Sequence, residues 1–134
     1  MLTENDITNL VVDYLNLNGY SNVIGLTTEQ RGVDITALNG LGKRVMIEVK
    51  GETSSKVNTK RYGMPFTGNQ IASHVGGAIL KIIVLMNEAA VEGAEFGLAF
   101  PMNHEILIRR ILPSLKQLGI RIYLVSKEKI IVLK

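Results

Sequence analysis

Residues 33–50 read VDITALNGLGKRVMIEVK, and aliphatic side chains alternate with polar ones on both sides of a short glycine-containing turn. Such alternation is typical of two half-buried strands joined as a hairpin. A single register brings all the aliphatic side chains to one face, because a slip of one residue would mix the two faces. That face would hold Val33, Ile35, Ala37, Val45, Ile47 and Val49. The same register sets Asp34 directly opposite Glu48.

Helical patterns and further strands surround this hairpin. Thr3 and Asp6 have the spacing of a capping box. Asn103 would cap a later helix, in which Pro113 predicts a kink or a break. The predicted elements are helices at Glu4 to Leu17, at Thr67 or Gly68 to Ala89 and at His104 to Leu118, and strands at Val23 to Leu26, Phe96 to Phe100, Ile120 to Val125 and Ile130 to Leu133. This order indicates an α/β sandwich, with a mixed central sheet flanked by helices.

Length and composition fit one globular domain over residues 1–134, with 46% hydrophobic and 20% charged residues. The sequence has no cysteine, which excludes a disulfide framework and a thiolate metal site. No signal peptide is apparent, and the apolar run near residues 78–86 suits a buried helix better than a membrane span. We therefore expect a cytoplasmic protein without a membrane partner.

The formal net charge is +3, and the basic residues concentrate between Lys43 and Arg61. Within that stretch, Lys56, Lys60 and Arg61 lie in a polar segment predicted to be a loop. They are candidates for contacts to a DNA phosphate backbone. A solvated basic loop is the plain alternative.

Asp34, Glu48 and Lys50 would share the face opposite the aliphatic residues. Carboxylates on directly opposed residues repel each other unless a cation lies between them. Mg²⁺ is the natural candidate, since it binds through one or two carboxylates, and we expect Mn²⁺ to substitute. Lys50 could hold or deprotonate a water beside the metal, or stabilise charge on a phosphate. A surface hairpin with solubilising charges would explain the alternation, but not the shared face.

Gly32-Val33-Asp34-Ile35 followed by Ile47-Glu48-Val49-Lys50-Gly51 resembles the PD-(D/E)-x-K nuclease superfamily. That superfamily includes restriction enzymes, Mrr-like enzymes and archaeal-type Holliday junction resolvases. The resemblance reaches from the first helix to about residue 74, and Val33 stands where the family name has proline. It implies a restriction-endonuclease-like sandwich. Asp34 and Glu48 would be metal ligands, the Val49 carbonyl a further ligand, and Lys50 the catalytic lysine.

Three further residues have candidate roles. Glu4 matches a glutamate that many relatives place on the first helix to support the metal, although an acid in a first helical turn is favoured anyway. Gln70 matches a glutamine that some members use to steady the catalytic water or the substrate. His74, one turn later, could carry a proton or contact a phosphate, but a single helical histidine is more often an ordinary polar contact. Glu52 could bind a second metal, although a solvated strand end explains it better, and His104 resembles ordinary helix surface.

Two classes of function compete. The first is a metal-dependent endonuclease that hydrolyses DNA phosphodiester bonds and selects its substrate by structure. The second is a catalytically silent nuclease-fold module that binds nucleic acid or a protein partner. The intact Asp34, Glu48 and Lys50 favour the first. A homodimer would let so small a domain cut two strands, and a targeting protein partner would supply the specificity that a 134-residue chain lacks.

Overall fold

Six strands form one open mixed sheet in a computed structural model that describes residues 1–52, 68–88 and 93–134. The spatial order of the strands is the same as their order along the chain. The elements are α1 (Glu4–Leu17), β1 (Ser21–Gly25), β2 (Ile35–Leu38), β3 (Arg44–Val49), α2 (Gly68–Glu88), β4 (Glu95–Pro101), a 3₁₀ turn (Met102–His104), α3 (Glu105–Gln117), β5 (Ile120–Val125) and β6 (Ile130–Leu133). The predicted α/β class with a mixed sheet is confirmed.

The hairpin of β2 and β3 has the predicted register. Ile35 pairs with Ile47 and Ala37 with Val45 in an antiparallel ladder. The turn closes at its base through a 2.8 Å hydrogen bond from the Asn39 N–H to the Lys43 carbonyl. β1 continues the antiparallel pairing on one side, whereas β4 and β5 run parallel to β3 and β6 is an antiparallel edge strand.

The two faces of the sheet carry separate apolar cores. α1 packs on one face through Ile7, Val11 and Leu15, which join the aliphatic side chains of the hairpin. α2 and α3 each connect parallel neighbours, and right-handed crossovers of this kind place both helices on the same face. β3 is therefore covered on both sides, and its even-numbered residues face α2.

The boundaries of two strands differ from those predicted. β2 begins at Ile35 rather than Val33, because Gly32 adopts φ 131° and the chain turns before the ladder starts. Val33 consequently lines a groove beside Glu48 instead of joining the aliphatic face. β1 begins and ends slightly earlier than predicted, at Ser21–Gly25.

The third helix also differs from its prediction. The 3₁₀ turn occupies the place of the predicted first helical residue, so α3 begins at Glu105 and Asn103 does not cap it. Of the kink or break predicted at Pro113, the break is absent, since α3 runs through this residue to Gln117, and the kink stays a prediction. The capping box of Thr3 and Asp6 on α1, by contrast, is present as predicted.

The second helix is less buried than expected. Within α2, only Val75, Ala78 and Ile82 are fully buried, and they pack on the sheet. Leu80 and Val84 on the outer side are 65% and 43% exposed. By length and composition, α2 is also long and apolar enough to cross a membrane. This is weak evidence for a membrane span, because the core helix of a soluble protein passes the same test. α2 is the crossover that connects β3 and β4, and one of its faces packs on the sheet.

The end of β3 meets the start of α1 at Gly51. A Cβ atom added at Gly51 would lie 2.7 Å from the Thr3 carbonyl carbon and closer still to the Glu4 nitrogen. Because both neighbours are backbone, a side chain here must push the strand end and the helix apart. This contact fixes the N-terminus of α1 beside the Glu48-Val49-Lys50 segment.

We therefore expect Gly51→Ala to destabilise the protein by about 1–3 kcal/mol, the usual cost of overpacking. Gly40→Ala is the matched control, because a Cβ at Gly40 meets nothing within 4 Å and its φ is not positive. Urea unfolding of the two variants measures the difference. Equal midpoints for Gly51→Ala and Gly40→Ala would contradict the packing assigned to this junction.

Candidate functional site

Two carboxyl groups meet where β2 and β3 begin to separate. The Asp34 Oδ2 atom accepts a 2.8 Å hydrogen bond from the Val49 N–H, which anchors this side chain to the neighbouring strand. The Glu48 carboxyl group shares a hydrogen bond with Asp34 and is only 4% exposed. The predicted juxtaposition of Asp34 and Glu48 is thus confirmed in the structure, and their roles as ligands stay a prediction.

Within this pair, the pKa of Glu48 is strongly raised. Burial, and then the hydrogen bond and the charge of Asp34, raise the pKa of Glu48 to about 8. Lys81 and Lys50 lower it, but they do not offset the burial. Without a bound cation, Glu48 therefore holds a proton at neutral pH and donates it to Asp34.

Two lysines surround the acid pair. Lys50 directly follows β3, and its N–H donates a 3.0 Å hydrogen bond to the Ala99 carbonyl. Its charge acts on both Glu48 and His74, so it lies near both side chains. Lys81 of α2 was missed by the sequence reasoning: its Nζ atom lies 3.8 Å from Glu48 Oε2. The available signal was a lone charge inside an apolar helical run.

The donor atoms suit a hard divalent cation. Glu48 Oε2 is buried and accepts no hydrogen bond from any described residue, which leaves it open for a ligand bond. The Val49 N–H points toward Asp34, and in a strand the carbonyl of the same residue points to the same side. Among the described residues no cluster of three or more histidine or acidic side chains could hold a metal. Two carboxylates and one carbonyl, completed by water, match the preference of Mg²⁺.

His74 lies next to the site and His104 lies behind it. Burial, and then the charge of Lys50, lower the pKa of His74. His104 was wrongly assigned to the helix surface, because it is fully buried and its ring stacks on Phe100 with centroids 5.5 Å apart. Burial lowers the pKa of His104 to about 4, with a smaller contribution from His74. His104 therefore stays neutral at physiological pH.

The remaining candidate residues lie at different positions relative to the acid pair. The Glu4 backbone contacts the Gly51 segment, so this acid lies at the strand end that carries Lys50. Gln70 lies in the first turn of α2, one turn before His74 and on the same helical side. Glu52 is not a solvated strand end: its carboxylate accepts a hydrogen bond from the Leu2 N–H and lies 3.9 Å from the N-terminal amine.

The predicted phosphate contacts at Lys56, Lys60 and Arg61 fall outside the described residues. They belong to the chain segment between Glu52 and Gly68. That segment connects the acid pair to the beginning of α2, and the proposal that it contacts DNA stays a prediction.

Comparison with family models, with curated proteins and with solved structures finds no match for this chain.

Proposed function

We propose that this chain is a metal-dependent DNA endonuclease of the PD-(D/E)-x-K superfamily, with a restriction-endonuclease-like fold. The observation that carries the proposal is the contact between the Asp34 and Glu48 carboxyl groups, with Lys50 beside them. A stable protein gains nothing from burying Glu48 against a second acid, because the buried carboxylate loses its solvation. A buried acid such as Glu48, whose pKa is strongly raised beside another charged group, is typical of functional sites.

In the proposed reaction the carboxylates of Asp34 and Glu48, together with the Val49 carbonyl, would hold Mg²⁺ or Mn²⁺. When bound, the ion supplies charge neutralisation at the scissile phosphate and lowers the pKa of the attacking water. The Val49 N–H keeps Asp34 oriented for binding. The Lys50 amine stabilises the charge that develops on the phosphate, and the neighbouring Gln70 and His74 side chains position water or substrate.

Three supporting roles complete the proposal. Glu4 supports the site from the start of α1. Lys56, Lys60 and Arg61 hold the phosphate backbone of the substrate. The unit at work is a homodimer or a complex with a targeting partner, and it acts in the cytoplasm without contact to a membrane.

A silent module is the second candidate, and the 3.8 Å approach of Lys81 to Glu48 favours it, because this ammonium group occupies the space of a bound cation. Such a module would keep the fold and the binding surface without cleaving DNA. Lys81 is 62% exposed, however, so its amine can leave without much cost.

Metal binding is tested by thermal unfolding in EDTA and in increasing Mg²⁺ or Mn²⁺. We expect the metal to raise the unfolding temperature of the wild type, because it binds the folded state only. Asp34→Asn should lose this shift, whereas Asp13→Asn, an exposed carboxylate on the surface of α1, should retain it.

Activity is tested on a panel of linear, nicked, flap and four-way DNA with either metal. Cleavage that EDTA abolishes would support the nuclease. A metal-dependent stability shift without cleavage of any substrate would support the silent module, and the absence of both would refute the metal site.

A further inference from the structure

An apolar groove opens beside Glu48 of the acid pair, between the segment before β2 and the exposed side of α2. Its volume is about 440 Å³, and the Glu48 carboxyl group forms part of its wall. The other lining residues are Gly32, Val33, Leu80, Lys81, Val84 and Leu85. Leu80 and Val84 are exposed to solvent although they are large and aliphatic. The groove thus continues the candidate site along α2.

The charges at the groove select the chemistry of its occupant. Lys81 lies at the junction of the groove and the acid pair, with its Nζ atom 3.8 Å from Glu48 Oε2 and most of its side chain in solvent. A phosphate placed beside the acid pair is therefore within reach of this amine. A suitable occupant therefore places a phosphate near Lys81 and an apolar surface against Leu80 and Val84.

We propose that this groove binds an unstacked nucleotide next to the scissile phosphate, so that the preferred substrate is DNA with a single-stranded region. In an intact duplex the faces of the bases are stacked on each other, and only base edges, sugars and phosphates are presented to a protein surface. Aliphatic walls would have little to contact there. In a single strand the apolar face of a base is free to pack on Leu80 and Val84, and sequence has little influence on such contacts. This inference rests on the proposed function, since it places the substrate relative to the same acid pair.

The test is a fluorescence anisotropy titration of a labelled single strand and of the duplex of the same sequence, in EDTA so that metal-dependent cleavage cannot interfere. We expect the wild type to bind the single strand about tenfold more tightly than the duplex, which corresponds to one good packing contact with a base. Leu80→Ser and Val84→Ser should remove this preference while duplex binding stays unchanged. Ile106→Ser is the matched control, because Ile106 is 82% exposed on α3, away from the groove.

Lys81→Ala tests the phosphate contact. We expect weaker binding of the single strand and a shallower dependence of log affinity on log salt, reduced by about 0.7 for one phosphate. Lys116→Ala, which removes an exposed lysine of α3, should leave both quantities unchanged.

The outcomes separate this inference from the proposed nuclease. Equal affinity for single strand and duplex, or an unchanged preference in Leu80→Ser and Val84→Ser, would overturn the inference even if Mg²⁺-dependent cleavage is found. A preference for single strands that depends on Leu80 and Val84, without cleavage of any DNA, would support the groove and refute the nuclease. Self-association in sedimentation that Leu80→Ser abolishes would assign the groove to a second copy of the chain and overturn the inference.

Discussion

Replacement of Lys50 by alanine is expected to lower the cleavage rate by about 10²–10³-fold at saturating metal, the usual loss when one group that stabilises the transition state is removed. Lys50 follows the last residue of β3, and its contribution to the sheet is a backbone hydrogen bond to Ala99, which alanine keeps. Little packing depends on the amine, so the fold should remain. Much of the DNA affinity should remain as well, because the basic residues of the segment after Glu52 are unchanged.

The controls for Lys50→Ala separate the loss of a catalytic group from the loss of one positive charge. Lys116→Ala removes the same charge from an exposed position near the end of α3, which leads into β5, two strands away from β3. This variant should cleave like the wild type. Asp34→Asn should fail for another reason, by weakening metal binding, so higher Mn²⁺ should restore part of its activity. If wild type and Lys50→Ala cleave equally fast at saturating metal, Lys50 is not the catalytic lysine.

The contact of Asp34 with Glu48 could be predicted from sequence because strand register is a local property. The alternation on both sides of a short turn allows one register that buries the aliphatic residues, and Ile35 duly pairs with Ile47. The same reasoning could not reveal that Glu48 is buried. Its burial comes from α2, which crosses over this face from a position that local periodicity does not specify.

His104 and Lys81 are two residues whose positions could not be predicted from the sequence. His104 was misplaced because the chain forms a 3₁₀ turn before α3, and this turn directs the imidazole inward onto Phe100. Lys81 was overlooked because its proximity to Glu48 depends on how α2 lies on the sheet. In both cases the deciding contact joins residues that are distant in sequence or belong to different elements, and composition carries no information about such contacts.

The largest stability effect is expected from Glu48→Gln, which should make the metal-free protein more stable by about 3 kcal/mol at pH 7. In the unfolded chain this carboxyl group has its ordinary pKa of 4.5 and is ionised, whereas the folded protein keeps it protonated up to about pH 8. Folding therefore requires proton uptake, and this uptake becomes more costly as the pH rises. Glutamine avoids the cost, because its amide can donate to Asp34 as the protonated carboxyl group does.

The pH dependence provides the decisive check on Glu48→Gln. The folded wild type binds more protons than the unfolded chain between about pH 4.5 and 8, so its stability relative to the variant should fall across this window and level off above it. His104 acts in the opposite direction, since its lowered pKa costs stability as the pH falls from 6.5 toward 4, but both proteins share this effect. Urea unfolding in EDTA at several pH values measures the difference, with Glu29→Gln as an exposed control. A variant no more stable than the wild type at pH 8 would show that Glu48 is not held in a buried pair with Asp34. Saturating Mg²⁺ should reduce the difference in stability between Glu48→Gln and the wild type, because the ion stabilises only the protein that retains both carboxylates.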